Sequence, residues 1–470
     1  MSNLTSSRTS PLGGPPHTCG VPTPDRSLVV IGAGPKAIAL AAKSKVLRDV
    51  GFEVPSIVAV ERGGTAANWR AGQGWTDGRQ HLGTLPEKDL GFPYDSATWG
   101  SRHDPLVGEI TQRMAGFSWP RYLMSTTAYA RWIDRGRPQP THQAWADYLD
   151  WAANEAGLRV VTGEVRTAEM EGGGWTVTYG DRNTRGTVHG CGLLVSGPGP
   201  CAGAVATDDD RVLDTAAFWQ VSMKGLPDRV RRVAVIGAGE TAGTVVRELA
   251  LANNHDVMVI VPNATLYSRG ESAFENRYFS DPTGWATLTE SDRREFIRRT
   301  DRAVFSQDIQ RALAATERVS WRTGRVTGIR VADGRTIEVA FDYAGQRNVI
   351  EADMVVDATG GDPLWFTDLL GSRARQALAD AVGGTLTRDA LERAITHALS
   401  VSGLPAPLHL PNLAALAQGP GFPNLSALGL LADRVLSSYV PPASPTDISA
   451  DACAATTRVP VPTMSRRGAA

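Results

Sequence analysis

Two glycine fingerprints, each at the end of an apolar run, constrain this chain more than any other feature. Val29-Val30-Ile31 runs into Gly32-Ala33-Gly34-Pro35-Lys36-Ala37. Much further along, Val233-Ala234-Val235-Ile236 runs into Gly237-Ala238-Gly239-Glu240-Thr241-Ala242-Gly243. In the pattern G-x-G-x-x-G/A, the first glycine makes a tight turn from strand to helix. The second lets a pyrophosphate approach the backbone, and the third small residue lets the helix pack on its strand. The free N–H groups and positive dipole end of that helix then hold the phosphates. One such match says little; two on one chain predict two bound dinucleotides and electron transfer between them. The expected fold is α/β, with two Rossmann-like dinucleotide-binding domains.

At the first fingerprint, Ile38, Leu40, Ala41 and Ala42 continue a helix with a small-residue face, and Ser56-Ile57-Val58-Ala59-Val60-Glu61 reads as a second parallel strand. An acid at that strand end is the expected partner of an adenosine ribose hydroxyl, so Glu61 is a candidate contact, with Arg62 beside it. Lys36 lies within the loop, near a phosphate or turned to solvent. At the second fingerprint, His255-Asp256-Val257-Met258-Val259-Ile260-Val261-Pro262 gives the next strand and ends without an acid. An acid there would repel a 2′-phosphate, so its absence favours NADP over NAD, with Arg269 on the following loop the candidate phosphate contact.

Two further segments, Cys191-Gly192-Leu193-Leu194-Val195-Ser196-Gly197-Pro198 and Met354-Val355-Val356-Asp357-Ala358-Thr359-Gly360-Gly361, are strands ending in small-residue turns that let backbone pass close to a dinucleotide. Both are expected in the first domain, making Thr359 and Gly360 cofactor candidates and the second domain an insertion. These patterns divide the chain into an unstructured segment (1–26), a first dinucleotide-binding domain (27–227), a second one (228–350), a return to the first (351–440), and an unstructured tail (441–470), and the glycines alone leave the first cofactor open between FAD and NAD.

Composition narrows the class. With a formal net charge of −1 over 470 residues, bulk charge implies neither a nucleic-acid partner nor an anionic membrane surface. No run of roughly 18 apolar residues marks a membrane span, and the start lacks the apolar core of a signal peptide. Cys19, Cys191, Cys201 and Cys453 have neither C-x-x-C nor metal-ligand spacing. They read as reduced thiols of a cytoplasmic protein, and they argue against a dithiol flavoenzyme. No metal site and no nucleophilic triad is expected.

Ser268-Arg269-Gly270-Glu271-Ser272-Ala273-Phe274-Glu275-Asn276-Arg277-Tyr278-Phe279-Ser280-Asp281-Pro282 resembles the D-S-P-F-x-N-E-x-F-x-P stretch of flavin-dependent N-hydroxylating monooxygenases, the ornithine and lysine hydroxylases of siderophore biosynthesis. Other matches keep the family's order: Trp69 and Gln80 ahead of Lys88-Asp89-Leu90, Arg135-Gly136-Arg137-Pro138 before Trp145, and Asn424-Leu425-Ser426-Ala427-Leu428 as a closing helix near the flavin. The resemblance implies that NADPH reduces FAD, that reduced flavin captures O₂ as a C4a-hydroperoxide, and that a substrate amine takes the distal oxygen to become a hydroxylamine. It implies that Lys88 and Asn276 hold an amino-acid carboxylate and that Trp69, Gln80, Leu425 and Ser426 lie near the flavin. Related hydroxylases often form homo-oligomers.

Two departures bear on substrate. The family's Asn-Tyr pair near the carboxylate corresponds to a stretch beginning Thr300-Asp301-Arg302, and an aspartate there would attract an amine rather than a carboxylate. The family's A-T-G-Tyr is Ala358-Thr359-Gly360-Gly361. The expected substrate is therefore an amino acid or another amine, in siderophore or specialised metabolism. Alternatives are a flavin monooxygenase acting on carbon or sulfur, and an electron-passing reductase. Against the first, Val212-Leu213-Asp214-Thr215-Ala216-Ala217-Phe218-Trp219 does not carry the Phe, Gly and His of a Baeyer–Villiger signature at their required spacing.

Overall fold

A computed structural model describes residues 26–94, 98–101, 103–181, 184–203, 209–252, 255–332 and 336–440. Cys19, Cys453, residues 1–25 and the segment 441–470 lie outside the described residues.

The apolar run at the first fingerprint forms β1 (Ser27–Ile31), buried along its whole length, and Pro at the first helical position starts α1 (Pro35–Asp49). β2 (Ser56–Glu61) runs parallel to β1 with Val29 opposite Val58, and β3 (Arg159–Thr162) runs parallel to β2. Between β2 and β3 lie α2 (Trp119–Ser125) and α3 (His142–Ala156), capped by Ser118 and Thr141. An antiparallel meander of β4 (Glu164–Glu171), β5 (Gly174–Gly180) and β6 (Arg185–Gly190) follows, and β7 (Gly192–Val195) then joins the other side of β1. Strands covered on both faces read as unbroken apolar runs rather than alternating ones, which is how β1 and β7 read.

The second sheet repeats this plan. It contains β8 (Val212–Asp214), β9 (Arg232–Ile236), β10 (Asp256–Val261) and β11 (Val319–Thr323), with α4 (Glu240–Arg247) after the second fingerprint. α5 (Ala273–Ser280) and α6 (Glu290–Thr300) follow β10. A second meander, β12 (Arg325–Ala332), β13 (Thr336–Tyr343) and β14 (Gln346–Ala352), leads to β15 (Met354–Asp357). The order β11-β10-β9-β15-β8 is parallel throughout.

That order corrects one expectation. Met354–Asp357 pairs with β9 and β8 in the second sheet, not with β1. A fully buried strand with a glycine turn suits either parallel sheet, and the local pattern does not encode which neighbour it takes. The chain rejoins the first sheet later, at β16 (Leu408–His409), which pairs with β7 to give β16-β7-β1-β2-β3. The last described helix, α7 (Leu428–Ser437), packs with α3 against α1, whose alanines 37, 39 and 42 are fully buried and let the helices approach. Lys43 and Asp433 join α1 to α7 by a buried 2.8 Å ion pair. Removing either partner of such a pair typically costs about 3–5 kcal/mol.

The turns after β7 and β15 meet where the chain passes between the sheets. The Ala202 N–H donates to the Gly360 carbonyl at 3.0 Å and the Asp362 N–H to the Pro200 carbonyl at 2.9 Å. No helix among the described residues is long and apolar enough to cross a membrane.

Candidate active site

The first fingerprint is shaped to hold an anion. Gly32 has φ +100°, and a Cβ there would lie 2.6 Å from the Ser196 hydroxyl. Gly34 caps α1 with no side-chain hydrogen bond, and no atom lies within 4 Å of where its Cβ would stand. Unfilled space in front of helix donors that lack partners fits a pyrophosphate. Glu61 frames the loop: its carboxylate accepts from the Ala33 N–H at 3.2 Å and the Gly63 N–H at 2.9 Å. Arg62 is exposed. Lys36 turns away from the glycines, and its ammonium donates to the Pro423 carbonyl at 2.7 Å. Burial lowers this amine to about 8, with Asp301 acting against the shift.

The second fingerprint has the same backbone and different side-chain surroundings. Gly237 has φ +134°, and a Cβ there would run into the Ala358 carbonyl at the end of β15. Gly239 caps α4 with open space beside it, as Gly34 does for α1, so this turn also fits a dinucleotide. Glu240 then occupies the first helical position, with Thr241 part-buried behind it. The Glu240 carboxylate accepts from the Ser306 N–H at 2.8 Å and pairs with Arg269 at 3.2 Å. Arg269 therefore meets a carboxylate of its own chain, and its other amino group reaches the Gly83 carbonyl at 3.4 Å. Thr359 donates twice to Asp357, which fixes the turn after β15, and Gly360 is exposed there.

Lys88 and Asn276, far apart in sequence, come together between the two sheets. The Lys88 ammonium donates to the Asn276 side-chain oxygen at 3.5 Å. Asn276 sits on α5, whose start is closed by a capping box of Ser272 and Glu275, and its amide donates to the Glu271 carbonyl at 2.8 Å. Burial lowers the Lys88 ammonium, Glu271 opposes that, and Arg269 adds to it. Two cations, a carboxylate and a carboxamide thus share one part-buried place, a donor set suited to a zwitterion. Glu271 lies two residues after Arg269 in the segment 268–282, and that pairing of opposite charges is the sequence signal for it.

Gln80 is 6 % exposed and bridges the sheets by donating to Glu248 at 3.2 Å. Its side-chain oxygen is buried with no partner among the described residues, an acceptor left for a ligand. Trp69 packs on Trp75 and His142, with ring centroids 5.2 and 4.9 Å away. Burial lowers His142 to about 4, and its Nδ1 lies 2.9 Å from the Thr76 hydroxyl, so a neutral ring supports the Trp69 loop.

Asp301, at the end of α6, meets Asn424 at 3.4 Å. Burial raises its carboxyl, while Arg302, Arg269, Asn424 and Lys36 pull the other way. Its charge is thus faced by cations of the chain itself. Leu425 packs against the first core, and the buried Ser426 donates its N–H to Asn424 at 2.8 Å, so the closing segment enters α7 through a turn.

The chain matches the family model described as L-lysine 6-monooxygenase/L-ornithine 5-monooxygenase over residues 110–362. It is 45 % identical over 419 residues to the L-lysine N6-monooxygenase MbtG of Mycolicibacterium paratuberculosis, covering 88 % of this chain and 96 % of that one. The MbtG of Mycobacterium tuberculosis is 45 % identical over 417 residues, with 88 % and 95 % covered. Among solved structures, the lysine monooxygenase NbtG of Nocardia farcinica, described for an unprecedented NADPH domain conformation, is 47 % identical with TM-score 0.77, covering 87 % of this chain and all of that one. The ornithine N-hydroxylase KtzI of Kutzneria sp. 744 shares the fold at 20 % identity and TM-score 0.70, with 88 % and 99 % covered. This chain belongs to the L-lysine 6-monooxygenase/L-ornithine 5-monooxygenase family and is an FAD- and NADPH-dependent enzyme that N-hydroxylates a primary amine.

Proposed function

We propose that this enzyme hydroxylates the side-chain nitrogen of free L-lysine in the making of a siderophore. The curated relatives that support this reading are named for lysine. The observation that carries it is the Lys88–Asn276 contact, in which an ammonium and a carboxamide from opposite sides converge at 3.5 Å. Lys88 and Asn276 take the substrate's carboxylate, and Glu271 offers the opposite charge to its α-ammonium. Asp301 acts at one remove, by holding Asn424 and the closing segment.

When bound, FAD takes hydride from NADPH and, with O₂, supplies the oxygen atom that the substrate nitrogen receives. The backbone at Gly32, Gly34, Pro35 and Lys36, together with Glu61 and Arg62, holds the dinucleotide part of FAD. Trp69, Gln80, Leu425 and Ser426 frame its ring, while Thr359 and Gly360, in the turn after β15, lie beside the second fingerprint. Gly237, Gly239, Glu240, Thr241 and Arg269 receive NADPH. The apolar packing around Trp69 and Leu425 keeps water from the ring, and Gln80 offers its unpaired oxygen there.

Replacing Lys88 by Met should raise the KM for L-lysine about tenfold or more, the worth of one hydrogen bond to a charged group. The KM for NADPH should stay within twofold of the parent's. An unchanged KM for L-lysine would remove Lys88 from the site.

A further inference from the structure

Lys88 is a long side chain on a loop, and a loop needs something to fix it if its ammonium is to meet a substrate at one place. The next residue provides the fixing. Asp89 is 1 % exposed and has no cation among its hydrogen-bond partners. One carboxylate oxygen accepts from the Gly91 N–H at 3.2 Å and the Tyr94 hydroxyl at 2.7 Å. The other accepts from the Trp119 N–H at 2.9 Å, at the first residue of α2. This N–H belongs to the first turn of the helix and has no partner within it, so the carboxylate satisfies a donor that would otherwise be buried unpaired.

The surrounding groups complete the clamp. The Leu90 N–H lies 3.4 Å from the Tyr148 hydroxyl, which itself donates to the Phe117 carbonyl at 2.8 Å. On the far side, the Phe92 carbonyl accepts from the Gly429 N–H at 2.8 Å, tying the loop to α7. Gly91 has no room for a side chain, because a Cβ there would meet the Tyr94 ring. Burial raises the Asp89 carboxyl to about 6, with Tyr94, Trp119 and Gly91 pulling it down and Glu87 pushing it up. A buried acid disfavoured in this way could be replaced by an apolar residue if it only filled space.

We propose that Asp89 is a positioning residue for the substrate's carboxylate: by clamping residues 89–94 to α2 it sets where the Lys88 ammonium points. The proposal rests on the reading of Lys88 given above. Because Asp89 acts through Lys88, its loss should harm substrates that carry a carboxylate more than those that do not. A general folding defect would harm both alike.

The test uses the FAD-loaded enzyme with L-lysine and with cadaverine, the same diamine chain without a carboxylate. The readout is the ratio of kcat/KM for lysine to that for cadaverine, in the parent and in Lys88→Met, Asp89→Asn and Tyr94→Phe. The expected result is a ratio lowered about tenfold or more by Lys88→Met, fivefold or more by Asp89→Asn, and twofold to threefold by Tyr94→Phe. Asparagine keeps an oxygen for Gly91 and Tyr94 but turns an N–H toward the Trp119 N–H, so it breaks the tie to α2. If Lys88→Met leaves the ratio unchanged, or the parent does not distinguish lysine from cadaverine, the Lys88 reading fails and Asp89 falls with it. If Lys88→Met lowers the ratio while the other two variants leave it unchanged, the Asp89 proposal alone is overturned. If Asp89→Asn loses its flavin, Tyr94→Phe decides: a lowered ratio supports the clamp, and an unchanged one ends it.

Discussion

The two fingerprint turns have nearly the same backbone and opposite relations to the rest of the molecule. Around Gly32 and Gly34 the framing groups belong to the first sheet and the segments packed on it: Glu61 ends β2, Ser196 follows β7, and Lys36 reaches the Pro423 carbonyl. Around Gly237 and Gly239 the surroundings are shared. Glu240 binds Arg269 and the Ser306 N–H, and a Cβ on Gly83, from the loop after β2, would stand 3.0 Å from its carboxylate. A site whose walls come from one packed body can hold a cofactor through many turnovers. A site on a boundary can open without disturbing either core, which suits a reductant that must enter and leave. In the assignment proposed above, one sequence motif serves a resident flavin in the first sheet and an exchanging reductant at the second, and its neighbours set which.

The sharpest way to break this comparison is to put a Cβ on each turn. Gly32→Ala forces a positive φ on an L-residue, at a cost of about 1–2 kcal/mol, and presses on Ser196. It should yield protein with less than a tenth of the parent's flavin. Gly237→Ala should keep its yellow colour while the KM for NADPH rises tenfold or more. Equal flavin loss in both variants would show that the two turns are not separable. Absorbance at the flavin band and NADPH titration read the two outcomes.

Acid should bear on both regions and more heavily on the first, since burial also lowers His255, just before β10 in the second sheet. His142 and His409 belong to the first sheet's surroundings, and burial lowers both to about 4. A histidine lowered on folding gives stability above its unfolded value near 6.5 that is lost as pH falls through 6.5 toward 4. Each can contribute up to about 3 kcal/mol. Flavin release on acidification should therefore begin between pH 6.5 and 4, followed by flavin fluorescence. Retention of flavin through pH 4 would contradict a buried neutral His142.

The smallest expected effect is at Glu240. A carboxylate in the first turn of α4 repels an incoming phosphate by an amount of the order of a screened charge pair, about 0.2–1 kcal/mol. Glu240→Gln should lower the KM for NADPH by up to about fivefold, with flavin content unchanged. A rise would mean that the Arg269 pair, rather than the bare charge, shapes the second site.

Local pattern carried the strands and helices at both fingerprints, because an apolar run, a glycine turn and a small-residue helix are each physical requirements of the strand–turn–helix unit. It did not carry the sheet that β15 joins, since a four-residue buried strand has no mark of its partner. Side-chain destinations were also hidden. Arg269 meets Glu240 and Asp301 meets Asn424 only because the fold brings distant segments together. Asp89 was visible as one letter of Lys88-Asp89-Leu90, but its burial depends on Trp119 and Tyr94, which no periodicity connects.

The late return of the chain to the first sheet has a consequence for synthesis. β16 and α7 lie after the whole second sheet in sequence, yet they supply an edge strand of the first sheet and the helix that covers α1. As the polypeptide leaves the ribosome, residues from Val212 to Asp357 have all their sheet partners before the older portion has its own. The portion made first is thus completed last, and its flavin pocket must wait, open to solvent and to chaperones, until β16 and α7 have been made.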